Sequence, residues 1–261
     1  MAAIATWLGF CLASQSFVFN LTALVSIVSV FLICGAGQAI NDYFDRDIDK
    51  KINSKRPIPS GAVKAEQALL FSLVLFLVGI ILASFINAWA LIIAIIFAGL
   101  LVLYSGYLKH LKFFGNWIVA LGTAFTFPFG AASAGMQLTS FYIILIPFAS
   151  ALFSNVAREI TKDLEDFEKG EQGKKILRDL LGFKSTKLVV VLVSLISILV
   201  LLIPFFLPVY KLTFYLPLVA ISILISLFSI NLVLKDKFKK AQKFDKIAML
   251  VGLIAFLSAL L

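Results

Sequence analysis

Asn41-Asp-Tyr-Phe-Asp-Arg-Asp-Ile-Asp49, followed by Lys50-Lys-Ile-Asn-Ser-Lys-Arg-Pro-Ile-Pro-Ser-Gly61, decides the reading of this chain. Four carboxylates, Asp42, Asp45, Asp47 and Asp49, fall within eight residues at the exit of a long apolar run. If a helix continues through them, Asn41, Asp45 and Asp49 lie four apart on one face. Asp42 borders that face and Asp47 points elsewhere. Carboxylates at helical spacing repel one another, so a cation is expected to hold them together. Oxygen ligands without Cys or His suit magnesium, which keeps several waters and shares phosphate oxygens with the protein. The basic residues downstream, Lys55 and Arg56 among them, suit a phosphate.

Composition sets the surroundings of this stretch. Of 261 residues, 61% are hydrophobic and 26 are Phe, against about 45–50% apolar in a soluble domain. Mean hydropathy is +1.04. Nine candidate spans fall at roughly 1–17, 22–43, 66–85, 87–105, 115–133, 139–158, 186–208, 212–234 and 246–261. The reading is an all-α membrane protein of nine transmembrane helices in a single domain, 1–261. No basic segment or small-residue cleavage site opens the chain, so no signal peptide is expected. The first span is short for a bilayer core of about 30 Å, and the natural first helix is expected to begin further upstream. Cys11 and Cys34 lie in apolar runs and read as small buried packers rather than a disulfide or ligands.

The net charge of +9 invites a nucleic-acid reading, but its placement excludes that partner. Segments 42–66, 105–114, 158–187 and 235–246 hold 22 of the 23 Lys and Arg and all 14 Asp and Glu. These segments alternate with nearly uncharged turns, so they share one membrane face. Excess Lys and Arg marks that face as cytoplasmic, which puts the N-terminus there too, in a multi-pass cell-membrane protein. The acids need another explanation, because Asp and Glu contribute little to orientation.

A second acidic stretch supplies it. In Asn155-Val-Ala-Arg-Glu-Ile-Thr-Lys-Asp-Leu-Glu-Asp166, the residues Asn155, Glu159, Asp163 and Asp166 share one narrow helical face. Glu165 and Glu168 lie off it and are expected in solvent. Both stretches read Asn, three residues, acid, three residues, Asp, 114 positions apart. The echo suggests a parallel internal repeat, roughly 1–134 and 135–261, with a site between the halves. An ordinary charged loop with Glu–Lys pairs is the rival reading of the second stretch. Two magnesium ions bridged by one diphosphate would relieve the repulsion between the two sites and orient a leaving group. Lys55, Arg56, Lys109, Arg158 and Lys162 are the cations available to that diphosphate. His110 reads as a surface residue.

The pattern Asn-Asp-x-x-Asp-x-x-x-Asp followed by Arg56-Pro-Ile-Pro-Ser-Gly61 resembles the first signature of the UbiA superfamily of intramembrane prenyltransferases. Arg158–Asp166 resembles its second signature, in wording closest to the archaeal geranylgeranylglyceryl-phosphate geranylgeranyltransferases. Tyr104-Ser-Gly-Tyr-Leu-Lys109 with Gly115-Asn116 resembles the family's middle loop. The resemblance implies nine helices around a central cavity under cytoplasmic cap loops. It also implies Mg²⁺-dependent transfer from a prenyl diphosphate, here geranylgeranyl diphosphate, to the free hydroxyl of a lipid phosphate, geranylgeranylglyceryl phosphate. By that resemblance Asn41, Asp42, Asp45, Asp49, Glu159, Asp163 and Asp166 are metal ligands. Asp45, Asp49, Asp163 and Lys109 carry catalysis. Arg56, Lys55, Lys109, Tyr104, Asn116, Arg158 and Lys162 bind the diphosphate or phosphate. The chain departs from the pattern in lacking the Arg-Pro-rich start of the first helix, in placing Phe167 where a further Asp is usual, and in matching only loosely at 173–178. An aromatic acceptor and a cation transporter are the alternatives. A transporter would keep ionisable groups near mid-span, where this sequence has almost none.

Overall fold

The computed structural model describes residues 1–52, 55–108, 112–135, 141–169 and 177–261. Eleven α-helices account for most of them: α1 (Ala2–Ser14), α2 (Leu21–Ile52), α3 (Ala65–Ser84), α4 (Ala88–Gly106), α5 (Lys112–Ala124), α6 (Thr126–Ser133), α7 (Phe141–Glu168), α8 (Leu177–Leu181), α9 (Phe183–Leu202), α10 (Leu212–Leu234) and α11 (Phe238–Ser258). Among the described residues there is no strand. Six helices, α2, α3, α4, α7, α9 and α10, are long and apolar enough to cross a membrane, and α1 is a shorter apolar helix. The chain is a multi-pass membrane protein.

Length separates the two motif helices from the others. At 1.5 Å per residue, α2 with 32 residues and α7 with 28 run about 48 and 42 Å. A bilayer core is about 30 Å thick. Each therefore continues beyond its apolar part as unbroken helix, and the acidic motifs ride on that continuation. The helices α3, α4, α9 and α10 have 19 to 23 residues and end near the core boundary.

Prolines account for the irregular places. The span expected over 115–133 is two helices, α5 and α6, separated at Phe125. Pro128 has no N–H for the carbonyl four residues back, and its ring crowds that carbonyl, so α5 stops at Ala124. Within α7, Pro147 leaves the carbonyl of Ile143 without its helical donor. The buried Tyr210 hydroxyl donates to that oxygen at 2.6 Å, so the orphan is satisfied across helices. Asn87 caps α4 by accepting from the Ala90 N–H at 2.9 Å, and its amide donates to the Ala132 carbonyl at the end of α6.

Three apolar clusters make the interior. One joins α2, α3 and α4, with Phe129 of α6. A second joins α5, α7, α9, α10 and α11 around Val156, Ile160 and Leu164. The third joins α1, α6, α7, α10 and α11 around Phe127, Tyr215 and Phe256. Thus α6 sits between two clusters. Its contact with α1 is backbone to backbone: a Cβ on Gly130 would lie 1.9 Å from the Thr6 carbonyl oxygen, and one on Gly9 would lie 2.2 Å from that of Phe127. Cys11 is buried, and Cys11 and Cys34 are both free thiols. Large side chains such as Phe31, Leu70, Trp89, Leu199 and Leu224 are exposed around the outside, as expected for a surface solvated by lipid chains.

Gly130→Ala must push α1 away from α6, because the obstructing atom is backbone. Overpacking of this kind costs about 1–3 kcal/mol, so its thermal midpoint in detergent should fall by several degrees. Gly99→Ala, where nothing lies within 4 Å of the added carbon, should leave the midpoint unchanged or slightly raised.

Candidate active site

The first cluster forms because α2 does not stop at the membrane edge. Asp45 and Asp49 are 8% and 7% exposed, whereas the Asp47 side chain is 74% exposed. The four-residue spacing thus turns one pair of acids into the bundle and the off-face acid outward. Asn41 donates its amide to the Asp45 carboxylate at 2.9 Å. The chain then doubles back through 55–64. Ser60 N–H donates to the Arg56 carbonyl at 2.9 Å and Val63 N–H to that of Pro57 at 3.1 Å. Gly61 completes the turn at φ +77°, a left-handed conformation that side chains disfavour. This turn returns Arg56 onto α2, where its guanidinium donates to Asp49 at 2.8 Å and to Asp42 at 3.3 Å. Arg56 therefore spans two carboxylates of the cluster, the work expected of a cation at this spacing. Lys55 beside it is exposed.

The second cluster is on the overhanging end of α7. Asn155 is buried, and Glu159, Asp163 and Asp166 are partly buried on the same side of the helix. Glu159 accepts from Arg158 at 2.7 Å and has Lys162 at 3.9 Å. Asp163 accepts from the amide of Asn116, on α5, at 2.8 Å. Asn116 is itself buried, so the middle-loop residue positions an acid of the second motif. The ring of Phe167, at the position where a further Asp was expected, lies under the Arg178 guanidinium at 3.5 Å, a cation–π contact.

One side chain relates the two clusters. Tyr104, near the end of α4, lies within electrostatic reach of Glu159 and Asp163 from α7 and of Asp45 from α2. Acids of both clusters, 114 positions apart in sequence, thus act electrostatically on the same phenol. Lys109 and His110 lie outside the described residues.

Among the described residues, no group of three or more Asp, Glu, His or Cys side chains is placed to hold a metal ion by itself. The donor set nonetheless fits magnesium. It is oxygen only, rich in carboxylates and partly buried, and magnesium retains waters and shares phosphate oxygens instead of demanding a full protein cage. Cations already occupy the carboxylates, as Arg56 does in the first cluster and Arg158 with Lys162 in the second.

Two residues were misjudged or overlooked from sequence. Glu165, expected in solvent, is 9% exposed. It accepts from Gln242 of α11 and pairs with Lys169 at 2.6 Å, so it fastens α11 to α7. Only the arrival of α11 beside α7 could reveal that. Glu168 is exposed as expected. Asp245, the other oversight, lines a cavity; its one sequence signal is an acid at the junction of a basic run and an apolar one.

The architecture defines an all-helical membrane bundle with acidic motifs on the extended ends of two helices. The family model described as the UbiA prenyltransferase family matches residues 2–258, and the chain belongs to that family. It is 37% identical over 245 residues to the digeranylgeranylglyceryl phosphate synthase of Methanosarcina mazei, covering 94% of this chain and 84% of that one. A solved structure of a digeranylgeranylglyceryl phosphate synthase in membranes superposes with a TM-score of 0.81 at 32% identity, covering 99% of this chain and 92% of the other. A UbiA homologue from Archaeoglobus fulgidus, solved with GPP and Mg²⁺, shares the fold at a TM-score of 0.67 and 16% identity, covering 98% of this chain and 96% of the other.

Removing the guanidinium should expose the repulsion it screens. Arg56→Ala should lower the thermal midpoint in chelator by a few degrees, corresponding to about 1 kcal/mol for a partly exposed pair. Added Mg²⁺ should recover much of that loss. A midpoint deficit that Mg²⁺ leaves untouched would show that the carboxylates do not take the ion.

Proposed function

We propose that this chain transfers a geranylgeranyl group from geranylgeranyl diphosphate to the free hydroxyl of geranylgeranylglyceryl phosphate. The product is digeranylgeranylglyceryl phosphate, the diether core of archaeal membrane lipids. The observation that carries the chemistry is that acids of both motif helices lie within electrostatic reach of Tyr104, which supports one shared diphosphate site rather than two separate surface patches. The acceptor assignment rests on the relative from Methanosarcina mazei.

Asn41, Asp42, Asp45 and Asp49 would hold one magnesium ion, and Glu159, Asp163 and Asp166 a second. Bound there, magnesium neutralises charge on the departing diphosphate. The residues of the chain do the rest. Asn116 holds Asp163 in place through its amide. Arg56, Lys55, Lys109, Arg158 and Lys162 offer charge-assisted hydrogen bonds to diphosphate and phosphate oxygens, which strengthen as charge develops on the leaving group. The allylic C–O bond breaks, the electron pair leaves with the diphosphate, the acceptor's alcohol oxygen bonds to the allylic carbon, and its proton passes to a carboxylate of the chain or to the released diphosphate. Tyr104 borders the place where that carbon becomes electron-poor, and an aromatic face is attractive to a cation.

The full assembly in this reading has nine spans, with α1, the α5–α6 pair and α11 completing the six long helices. The residues at 55–64 and the other charged segments cap the cavity on the cytoplasmic side, where the N-terminus also lies. The two acidic motifs mark the halves of an internal repeat within one domain. The polyprenyl chains lie in the bundle, open to lipid.

Asp45→Ala and Asp163→Ala should each reduce Mg²⁺-dependent transfer from radiolabelled geranylgeranyl diphosphate by at least about a hundredfold, as for loss of a principal electrostatic group, while the proteins still insert and fold. Chelator should abolish transfer by the parent chain. Near-normal turnover by either variant would overturn the two-site reading. Offering geranylgeranylglyceryl phosphate against 4-hydroxybenzoate tests the acceptor: prenylation of the aromatic ring alone would replace the alcohol with an aromatic substrate.

A further inference from the structure

Behind the second acidic cluster lies a cavity of about 90 Å³, part of it open to the outside, bounded mainly by α1, α7, α9, α10 and α11. Serines such as Ser150, Ser197 and Ser222 line it along its length. Near the charged face stand Asn155, Ser154, Ser226 and Asp245. Toward the opposite face stand Leu201, Leu253 and Phe256. Asn155 belongs to both regions, since it begins the second motif and lines the cavity. It is one helical turn, about 5.4 Å along the axis, from Glu159.

Among the described residues, Asp245 is the one acidic or basic side chain lining this cavity. It enters from α11, two turns beyond the helix start. The groups facing it among the described residues are the hydroxyl of Ser229 and, at longer range, the Arg158 guanidinium. The Ser229 hydroxyl also donates to the Ala241 carbonyl at 3.0 Å, and Arg158 is engaged with Glu159 at 2.7 Å. The Nε of Arg158 is buried without a partner. A carboxylate within a helix bundle is costly, and its retention marks a site of polar work. Among the described residues Asp245 has no close ion pair, and it lines space that also carries several hydroxyls and the apolar side chains of Leu201, Leu253 and Phe256.

We propose that Asp245 anchors the hydroxyl of the prenyl acceptor in this cavity and receives its proton as the ether forms. The inference rests on the proposed alcohol-prenylating function and deepens it by naming the acceptor side of the site. The acceptor's apolar chain extends along the Leu201, Leu253 and Phe256 end. Its hydroxyl donates to the Asp245 carboxylate, which holds the alcohol oxygen beside the second motif. The oxygen forms its bond to the allylic carbon, the carbon–oxygen bond to diphosphate breaks with its electron pair, and the hydroxyl proton passes to Asp245. Arg158, between Asp245 and Glu159, ties the acceptor side to the diphosphate side.

The test uses the purified full-length chain with Mg²⁺, geranylgeranyl diphosphate and geranylgeranylglyceryl phosphate. Asp245→Asn should bind the diphosphate donor within twofold of the parent, while KM for the lipid-phosphate acceptor rises and kcat falls, each at least tenfold. Asp245→Glu should recover part of kcat. Ser226→Leu, which fills the cavity from α10 and leaves the carboxylate in place, should raise acceptor KM at least fivefold with donor binding unchanged. Donor binding reports that each variant is folded. Acceptor KM and kcat within twofold of the parent in Asp245→Asn would overturn this inference alone. Loss of donor binding together with transfer in both Asp245→Asn and Asp245→Glu would also overturn it, by making the residue a structural support. A parent chain that consumes the donor yet never alkylates geranylgeranylglyceryl phosphate would overturn the proposed acceptor, and this inference with it.

Discussion

Carboxylates at the rim of a low-dielectric bundle repel one another and must be met by cations, and the charged face of this protein follows from that requirement. Asp42 and Asp49 share Arg56. Glu159 takes Arg158 and Lys162, and Glu165 takes Lys169. These contacts also close the fold. The turn at 55–64 is fixed by returning Arg56 to α2, and α11 is fastened to α7 through Glu165 and Gln242. A site assembled from paired charges can exchange its internal cations for a metal and a phosphate with little movement of the backbone. An empty acidic cage could not be held together so readily.

The bundle is arranged to bring two such rims together. Both motif helices overshoot the membrane core, so their acids project from one end, and α4 and α5 lie between them. Tyr104 and Asn116 come from those intervening helices and touch or sense the acids on either side. The close crossing of α1 and α6 at Gly9 and Gly130 packs the other side of the bundle. The break at Phe125, forced by Pro128, lets α6 reach both apolar clusters. Irregular backbone inside the membrane is tolerated here because other helices satisfy the freed groups, as Tyr210 does for Ile143.

Much of the site was legible in sequence because helical periodicity is local. Four-residue spacing distinguishes Asp45 and Asp49 from Asp47, and burial agrees with it. The same rule misjudged Glu165, which lies off the face of its motif yet is buried by a neighbouring helix that local periodicity cannot see. Asp245 was passed over for a related reason. In sequence it is one acid in a basic run, and only the meeting of α7, α9, α10 and α11 makes it part of a cavity wall.

The sequence by itself determined the membrane-embedded helical class, the placing of charge at one face, the two acidic motifs and their resemblance to the UbiA prenyltransferases. These follow from hydrophobic run length, residue type and spacing, all properties of short stretches. Tertiary structure alone decided that Arg56 bridges Asp42 and Asp49, that Asn116 holds Asp163, that acids of both clusters come within electrostatic reach of Tyr104, and that a cavity opens beside Asp245. Those relations join residues from different helices, and their geometry is set by how the helices pack rather than by any pattern along the chain.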